Sequence, residues 1–351
     1  MVGVALLGAG IFAQNEHLPA IEAIPSLELK AIYSRSQTSA QSLANTVSGS
    51  VSPPTVYYDS PHVSGSSLDD LLARDDISAV IICLPIIAQP AIIRKAWKAG
   101  KHVISEKPIA KDVSSAKSLL KDYNILPDTK PLWAVAENYR FQKALQIAAE
   151  RLNDLGGELT FFSFEMFTLV KTDNKYFNTA WRKVPEYQGG FLLDGGVHFT
   201  ASLRYLLAAV NDKIASVKAS TTLLQPLLLP MDTIHGVITT AGGRSGSFNV
   251  SFGSAFRSGF RLAVSTTHGE VEMNPSEVKI VTLNSQGEKI EEVIKVTKTS
   301  GVLEELKAWA NGLDSGVICT EQSPDEALRD LSVLEGLLKA GETHSSELVD
   351  A

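Results

Sequence analysis

The chain has 351 residues, of which 44% are hydrophobic and 20% are charged, a balance that is ordinary for a soluble globular protein with room for two domains. Its formal net charge of −7 argues against binding to nucleic acid or acidic membranes, and no uncharged stretch is long enough to predict a membrane span. Two cysteines cannot form a disulfide framework, so we expect a cytoplasmic protein of a reducing compartment.

Five short apolar runs near the start of the chain predict buried strands, and amphipathic segments between them predict helices. The runs lie at 2–7, 27–33, 79–84, 102–105 and 132–136. The helical segments lie at 37–45, 90–99 and 114–123. Alternation of this kind is typical of βαβ units, so residues 1–137 are predicted to form a Rossmann domain with a doubly wound parallel sheet. Residues 48–67, rich in Ser, Pro and Gly, are expected to form a surface loop with a possible brief strand at its tyrosine pair.

The first predicted strand is followed directly by GAGIFA, a G-x-G-x-x-A pattern that begins at Gly8. Gly8 permits a tight turn, Gly10 lets the backbone approach a pyrophosphate, and Ala13 permits close packing of helix against strand. Ile11 and Phe12 lie inside this loop, where the helix N-terminus faces the phosphates. A glycine turn between any strand and any helix would look similar. The strand before the loop and the βαβ repetition after it favour dinucleotide binding.

The end of the second predicted strand bears on the choice between NAD and NADP. An NAD site usually has a carboxylate at this point, but the residues here are Ser34, Arg35 and Ser36. Glu28 stands at the other end of the strand, away from the ligand edge. Arg35 can pair with a 2′-phosphate, to which the serine hydroxyls can add hydrogen bonds. A solvated arginine in a turn is the alternative, and NADP is the favoured cofactor.

The pattern changes after about residue 138, where β-type runs separated by turn residues predict an antiparallel sheet. These runs lie at 158–167, 214–224, 233–240, 246–252, 260–267, 278–283 and 288–296. Helices are predicted at 142–152, 196–209, 302–312 and 324–340. Residues 138–351 are therefore predicted to form a second domain, whose final helices could pack back on the first.

A histidine and an aspartate in GGFLLDGGVHF, residues 189–199, are candidates for proton transfer. Asp194 precedes His198 by four residues at the predicted helix start, so the two side chains can share one face of the helix. A carboxylate can orient or stabilise the imidazole of a catalytic base. Equally, Asp194 could simply cap the helix and His198 could be a packed residue of its first turn.

Two segments in this order, AGKHVISEKPIA from residue 99 and LLDGGVH from residue 192, resemble the Gfo/Idh/MocA family of oxidoreductases. AVIICLP, ENYRF and SPDEALRDLSVLEGLLKAG extend the resemblance over nearly the whole chain. TAWRKVPEYQGGFLLDGGVH is similar to the fungal branch with a yeast NADP-dependent oxidoreductase. The resemblance implies an N-terminal Rossmann domain and a C-terminal α/β domain with an open, mostly antiparallel sheet.

The resemblance also implies roles for individual residues. Lys107, in the EKP segment, corresponds to a catalytic lysine, and Asp194 and His198 correspond to the family's aspartate and histidine. Glu106 is assigned to the cofactor edge, and the Lys107–Pro108 bond is a candidate cis peptide.

One segment departs from the family pattern. The usual Pro-Asn-x-x-His reads Pro-Ile-Ile-Ala-Gln here, beginning at Pro85. Leu84 and Pro85 are still expected to cover the cofactor, but the loss of the polar residues makes this wall more apolar. This departure argues against carrying over the family's usual sugar-type substrate from the resemblance alone.

Further predictions concern five residues outside these motifs. Asn138 and Tyr139 follow the fifth strand at the ligand edge, where Asn138 could bind the cofactor and Tyr139 could touch substrate or simply pack. Trp181 and Arg182 could line the substrate pocket, with Arg182 either an anchor for a polar group or part of a structural ion pair. His17 is expected to be structural. The spacing of histidines and cysteines predicts no metal site.

These observations predict an NADP(H)-dependent oxidoreductase that transfers a hydride between the nicotinamide and a small carbonyl or alcohol, such as a sugar, polyol, diol, ketone or aldehyde. In oxidation His198 would take the hydroxyl proton while Lys107 steadies the oxygen. The main alternative is a non-catalytic dinucleotide-binding regulator of the same fold. A glycosidase that uses NAD for transient oxidation is disfavoured by Ser34 and Arg35. An open sheet face would suit a homodimer.

Overall fold

The computed structural model describes residues 1–48, 52–343 and 346–349. The chain divides into two compact units. The first unit comprises residues 1–137 and 302–327. The second unit comprises residues 138–301 and 328–351.

A six-stranded parallel sheet forms the centre of the first unit, in the order β3-β2-β1-β4-β5-β6. Its strands are β1 (Val2–Leu7), β2 (Leu27–Tyr33), β3 (Thr55–Tyr57), β4 (Ala79–Ile82), β5 (His102–Glu106) and β6 (Trp133–Ala136). β4 and β6 are buried along their whole length, as expected for parallel strands covered on both faces. The strand order runs outward from β1 in both directions, which confirms the predicted Rossmann fold.

Short helices connect these strands, and side-chain caps define where three of them begin. The helices are α1 (Leu18–Glu22), α2 (Gln37–Ala44), α3 (Leu68–Leu72), α4 (Gln89–Lys98) and α5 (Val113–Asn124). The side chains of Ser36, Ser67 and Asp112 each accept a hydrogen bond from the backbone amide three residues later, at the starts of α2, α3 and α5. These contacts satisfy amide groups that the first helical turn leaves unpaired.

Two short elements occur in and just after the predicted surface loop: β3 lies inside it and α3 follows it. β3 contains Tyr57 of the tyrosine pair, so the suggested brief strand exists. α3 has only five residues, too few to show the helical period of apolar residues. Residues 49–51 of the predicted loop lie outside the described residues.

A nine-stranded mixed sheet forms the centre of the second unit, in the order β14-β13-β12-β11-β7-β10-β9-β8-β15. Its strands are β7 (Leu159–Phe167), β8 (Ile214–Thr222), β9 (Thr233–Thr240), β10 (Ser245–Ser251), β11 (Gly259–Thr266), β12 (Glu270–Asn274), β13 (Glu277–Leu283), β14 (Lys289–Lys295) and β15 (Ser346–Leu348). β7 and β10 pair in parallel, and the other neighbours pair antiparallel. The predicted mostly antiparallel sheet is confirmed, with β12 and β15 in addition.

Three helices of the second unit lie between residues 143 and 209. They are α6 (Lys143–Leu155), α7 (Ala180–Lys183) and α8 (Gly190–Ala209). α8 begins six residues earlier than the sequence predicts, because Gly189 and Gly190 both have positive φ angles and make the turn into the helix. Phe199 on α8 packs in a row of aromatic rings with Phe164 and Phe252. This packing fixes the helix against the sheet of its own unit.

Two helices close the chain, α9 (Val302–Ser315) and α10 (Pro324–Thr343). Leu306 and Trp309 of α9 are completely buried in the hydrophobic core of the first unit, together with Leu6 and Ile32 of its sheet. α10 begins as predicted with Ser323, whose hydroxyl accepts a hydrogen bond from the amide of Glu326. Across the described residues, no helix has the length and apolar character needed to span a membrane.

A buried ion cluster ties α10 to the rest of the second unit. The carboxylate of Asp330 accepts hydrogen bonds from Arg140, at 2.6 and 2.8 Å, and from Arg204 of α8, at 2.5 Å. The side chain of Asp330 is 1% exposed, so the two guanidinium groups supply the partners that water would otherwise provide.

Candidate active site

The glycine loop after β1 leaves room for a ligand at one of its glycines. Gly8 has φ 124°, and a Cβ there would lie 2.1 Å from the carbonyl oxygen of Cys83, so only glycine fits this turn. A Cβ on Gly10 would meet no described atom within 4 Å. Packing of the protein itself therefore does not require glycine at position 10. Open space beside the backbone is what a bound pyrophosphate needs, so the loop fits a dinucleotide.

A π-helical turn, Ala13–His17, follows the glycine loop and leads into α1. Ala13 is completely buried, while Ile11 and Phe12 are half-buried. The ring of Phe12 contacts that of His17 edge-on, with 5.4 Å between centroids. Single π-helical turns occur often at functional sites, and this one directs His17 inward.

The end of β2 presents Ser34, half-buried, and Arg35, exposed. The hydroxyl of Ser36 caps α2. The sequence reasoning missed an acid here, because Asp59 follows β3, the short strand inside the predicted loop. Tyr33 donates a hydrogen bond to Asp59 Oδ1 at 2.9 Å, and burial, followed by this bond, raises the pKa of the tyrosine above its ordinary value. Arg35, a cation, and Asp59, a carboxylate, thus both follow strands at the edge of the sheet where residues that select NAD or NADP are expected.

The loop after β4 is apolar where the family pattern is polar. Leu84 and Pro85 are half-buried, and Ile86 is buried. Gln89, in place of the family's histidine, is 1% exposed, and neither polar atom of its amide has a hydrogen-bond partner in the part of the chain that the structure describes. Gln89 is thus a buried polar group that the sequence did not single out.

The EKP segment lies at the carboxyl end of β5, which is the ligand edge of a parallel sheet. The strand extends one residue beyond the predicted run and ends at Glu106. Lys107 follows half-buried, and the Lys107–Pro108 peptide is cis, as the resemblance implies. Glu106 is 7% exposed, and its Oε1 lies 2.6 Å from Nε2 of the completely buried His17.

Asp194 lies inside α8 and is not its cap, because the N-cap is Gly189. The expectation that Asp194 stands at a helix start is therefore wrong, for the reason that the two glycines begin the helix earlier. Asp194 is 5% exposed, and its Oδ2 accepts a hydrogen bond from Nε of Arg182 at 2.7 Å. Of the two alternatives for Arg182, the structure shows an ion pair. The guanidinium also lies over the ring of Trp181, 4.0 Å from its centroid.

His198 lies one turn after Asp194 on α8 and is half-buried. Its ring stacks on that of Tyr139, with centroids 4.2 Å apart and planes 10° apart. Tyr139 belongs to the 3₁₀ turn Asn138–Phe141, in which the side-chain amide of Asn138 donates to the carbonyl oxygen of Ser300 at 2.6 Å. Tyr139 thus packs against the candidate base. The side-chain N–H of Asn138 stabilises its own unit through the hydrogen bond to Ser300.

Tyr187, just before α8, is a third residue that the sequence reasoning missed. Its hydroxyl is buried and has no hydrogen-bond partner among the described residues. Burial, and to a lesser extent the charge of Asp194, raises the pKa of this phenol above its ordinary value. The hydroxyl therefore remains protonated and can donate a hydrogen bond near the Arg182–Asp194 pair.

Comparison with known proteins agrees with the fold of the two units. Residues 2–124 match the oxidoreductase family described as having an NAD-binding Rossmann fold, and residues 155–345 match its C-terminal alpha/beta domain. The chain is 47% identical to dehydrogenase FPY6 of Fusarium mangiferae over 96% of both chains. It is 31% identical to the uncharacterised yeast protein YMR315W of Saccharomyces cerevisiae over 79% of this chain and 75% of that protein. An oxidoreductase structure from Thermotoga maritima superposes with a TM-score of 0.85 at 27% identity, covering 99% and 98% of the two chains.

Proposed function

The chain belongs to the Gfo/Idh/MocA family of oxidoreductases, and from this membership we propose that it transfers a hydride between NADP(H) and a small carbonyl or alcohol substrate. One observation carries the proposal. The carboxyl edge of the first unit's sheet gathers the Gly8–Gly10 loop after β1, Arg35 after β2 and Lys107 after β5. These groups would supply backbone amides to a pyrophosphate, a cation to a 2′-phosphate and an ammonium to a substrate oxygen.

Each residue has a defined part in the proposed reaction. The amides beyond Gly8 and the open space at Gly10 would hold the pyrophosphate, and Ser34 and Arg35 would hold a 2′-phosphate. A bound nicotinamide would accept the hydride in oxidation and supply it in reduction. Lys107 would donate a hydrogen bond to the substrate oxygen and stabilise the negative charge that develops on it.

His198 would take the hydroxyl proton when the alcohol is oxidised and return a proton when the carbonyl is reduced. Its stacking on Tyr139 fixes the plane of the imidazole, which a proton donor with two distinct nitrogens requires. Asp194 would supply negative charge near this histidine, and Arg182 holds that carboxylate in one orientation.

The cofactor preference rests on Arg35, and Asp59 weighs against it. An exposed guanidinium at the end of β2 attracts a 2′-phosphate, whereas a nearby carboxylate repels one. One oxygen of Asp59 already accepts a hydrogen bond from Tyr33, so the carboxylate has a role in the fold. We therefore retain NADP as the proposed cofactor.

The outer face of the second unit's sheet supports the proposal of a homodimer. Phe161 on β7 is 49% exposed and Val237 on β9 is 52% exposed. The half-buried Ser247 of β10 lies opposite Val237, and the buried Ser163 of β7 lies opposite Ser247. Small side chains beside exposed apolar ones make a flat surface that a second copy could cover. Sedimentation equilibrium of the wild type and of Val237→Glu tests this, with a monomeric wild type as the contrary result.

A panel of carbonyl compounds, assayed by NADPH oxidation, tests the function itself. Turnover of one of them by the wild type, and its loss in Lys107→Met, would support the proposal. NADPH binding without turnover of any compound in a broad panel would favour the non-catalytic regulator. Unchanged turnover in Lys107→Met would remove the lysine from the mechanism.

A further inference from the structure

A buried pair, His17 and Glu106, joins two elements of the cofactor edge. His17 ends the helical turn that follows the glycine loop, and Glu106 ends β5 directly before Lys107. Nε2 of His17 lies 2.6 Å from Oε1 of Glu106. With the hydrogen on Nε2, the imidazole is the donor and the carboxylate oxygen is the acceptor of this bond. The short distance is typical of a hydrogen bond to a charged group.

The same atoms raise the question of a metal ion, because Sγ of Cys83 lies within 4.8 Å of the ligand atoms of both residues. Zinc binds nitrogen and oxygen ligands at about 2.0–2.2 Å, so two such ligands of a tetrahedral ion stand roughly 3.3 Å apart. The 2.6 Å between Nε2 and Oε1 is shorter than that separation. The geometry therefore favours a direct hydrogen bond over two ligands that share an ion.

The hydrogen bond matters because both partners are withdrawn from water. His17 is completely buried and Glu106 is 7% exposed. Burial of a carboxylate without a hydrogen-bond donor costs free energy. Without His17, the side chain of Glu106 would therefore move toward another donor or toward water. Nδ1 of His17 has no hydrogen-bond partner within the described residues, which leaves the bond to Glu106 and the edge contact with Phe12 to hold the ring.

We propose that His17 is a positioning residue, which fixes the Glu106 carboxylate and thereby the backbone from which Lys107 extends. The proposal rests on the proposed role of Lys107 in hydride transfer. An ammonium that stabilises a developing charge must be held within a fraction of an ångström, and Lys107 begins one residue beyond the fixed carboxylate. His17 belongs to the helical turn that follows the glycine loop, and Glu106 ends β5. Their hydrogen bond therefore links the glycine loop to the end of the strand that carries Lys107.

Two substitutions of His17 separate positioning from simple packing. His17→Met fills a similar volume without a donor, and His17→Gln keeps an N–H at about the reach of Nε2. We expect His17→Met to lower kcat by about 10- to 100-fold. The KM for the carbonyl substrate and the Kd for NADPH should stay within about threefold of the wild type, and His17→Gln should recover most of the lost kcat.

A matched control lies at the other end of the same strand. His102 is half-buried, and its Nδ1 accepts a hydrogen bond from the amide of Leu132 at 2.9 Å, away from the ligand edge. His102→Gln removes an imidazole of the same unit without touching the pair, so its kcat should equal that of the wild type. If His17→Met does not fold, His17→Asn replaces it. The shorter amide cannot reach Glu106, so its kcat should fall at least about tenfold below that of His17→Gln.

The outcomes distinguish this inference from the proposed function. Lys107→Met is assayed beside the His17 variants on the same substrate and on the folded fraction of each protein. If Lys107→Met loses turnover and His17→Met keeps it, the positioning role is wrong and the proposed function stands. If Lys107→Met keeps turnover, the proposed function fails. One zinc per chain in the wild type, lost in Cys83→Ala, would overturn the hydrogen-bonded pair in favour of a metal site.

Discussion

Two buried carboxylates stand beside the two candidate catalytic groups, and they are held in different ways. In the first unit Glu106, next to Lys107, accepts a hydrogen bond from an imidazole. In the second unit Asp194, one turn before His198, accepts one from the guanidinium of Arg182. An arginine is always charged and offers several N–H donors in one plane, whereas the imidazole contacts its carboxylate through Nε2 alone.

This difference suits the chemistry proposed for the two groups. Lys107 is proposed to donate a hydrogen bond to the substrate oxygen, and the contact with His17 fixes the carboxylate that precedes the lysine in the chain. His198 is proposed to gain and lose a proton, and the guanidinium of Arg182 holds the carboxylate one turn before it in one orientation. The two acids therefore differ in how they are held beside the candidate catalytic groups.

The largest expected effect belongs to Lys107→Met, which removes the proposed electrophile. We expect kcat to fall by about 100- to 1000-fold, the usual loss when one hydrogen-bond donor to a developing oxyanion is removed. Steady-state NADPH oxidation with a verified carbonyl substrate measures it, and NADPH fluorescence checks that the cofactor still binds. A loss confined to KM would assign Lys107 to substrate binding alone.

Arg182→Met should have the next largest effect, because it leaves the buried Asp194 without its guanidinium. We expect the free energy of unfolding to fall by about 2–4 kcal/mol. The charge near His198 also changes, so kcat of the folded fraction should fall about tenfold.

Arg204→Met provides a matched control for that variant, since it also removes a guanidinium from a buried acid. Asp330 keeps Arg140 as a partner, so urea denaturation should show a smaller loss of stability and kcat should be unchanged. Equal losses of kcat in both variants would mean that Arg182 affects activity only by stabilising the fold. The way in which Asp194 is held would then have no separate effect on catalysis.

Parallel-sheet geometry explains why the first unit was the more predictable of the two. Once β1, β2 and β5 were assigned from their apolar runs, the residues that follow them had to meet at one edge. The partners of these residues were not predictable. Asp59 lies after a three-residue strand in a loop of low periodicity, and His17 meets Glu106 across 89 positions of sequence. Contacts of that kind depend on packing, which local patterns do not encode.

In the second unit the strands were predictable, but the start of the helix that carries the candidate base was not. The strands were predicted from β-type runs separated by turn residues, but the helix predicted from residue 196 begins six residues earlier, where Gly189 and Gly190 make the turn into it. Asp194 consequently lies inside the helix, where Arg182 reaches it. Tyr187 offered no signal at all, since a lone tyrosine before a glycine pair looks like any surface residue.

A smaller effect is expected for Arg35→Ala, which tests whether the cofactor edge of the first unit is electropositive. Loss of one charge-assisted contact should weaken NADPH binding about tenfold and leave NADH binding unchanged. Asp59→Asn is the companion variant, and it should strengthen NADPH binding two- to threefold by removing a repulsive charge. Fluorescence titration measures both, and equal weakening of the two cofactors by Arg35→Ala would contradict the 2′-phosphate assignment.

The smallest effect concerns His102, at the amino end of the strand that carries Glu106. Burial lowers the pKa of His102 from its ordinary 6.5, so the unfolded chain takes up this proton more readily than the folded one. Well above pH 6.5 the imidazole of His102 is neutral in both states, so its protonation does not change the free energy of unfolding. As the pH falls below 6.5 the unfolded chain binds the proton first, and the free energy of unfolding decreases. The melting temperature of the wild type should therefore drop more steeply between pH 7 and 5 than that of His102→Gln.

The central claim, that the first unit is a site for NADP, is tested most directly by titrating the wild-type protein with NADPH and with NADH and following the nicotinamide fluorescence. The open backbone at Gly10 and the guanidinium of Arg35 predict saturable binding of NADPH, at least about tenfold tighter than that of NADH. NADH binding as tight as NADPH binding, or tighter, would contradict the assignment and make Asp59 the residue that selects the cofactor.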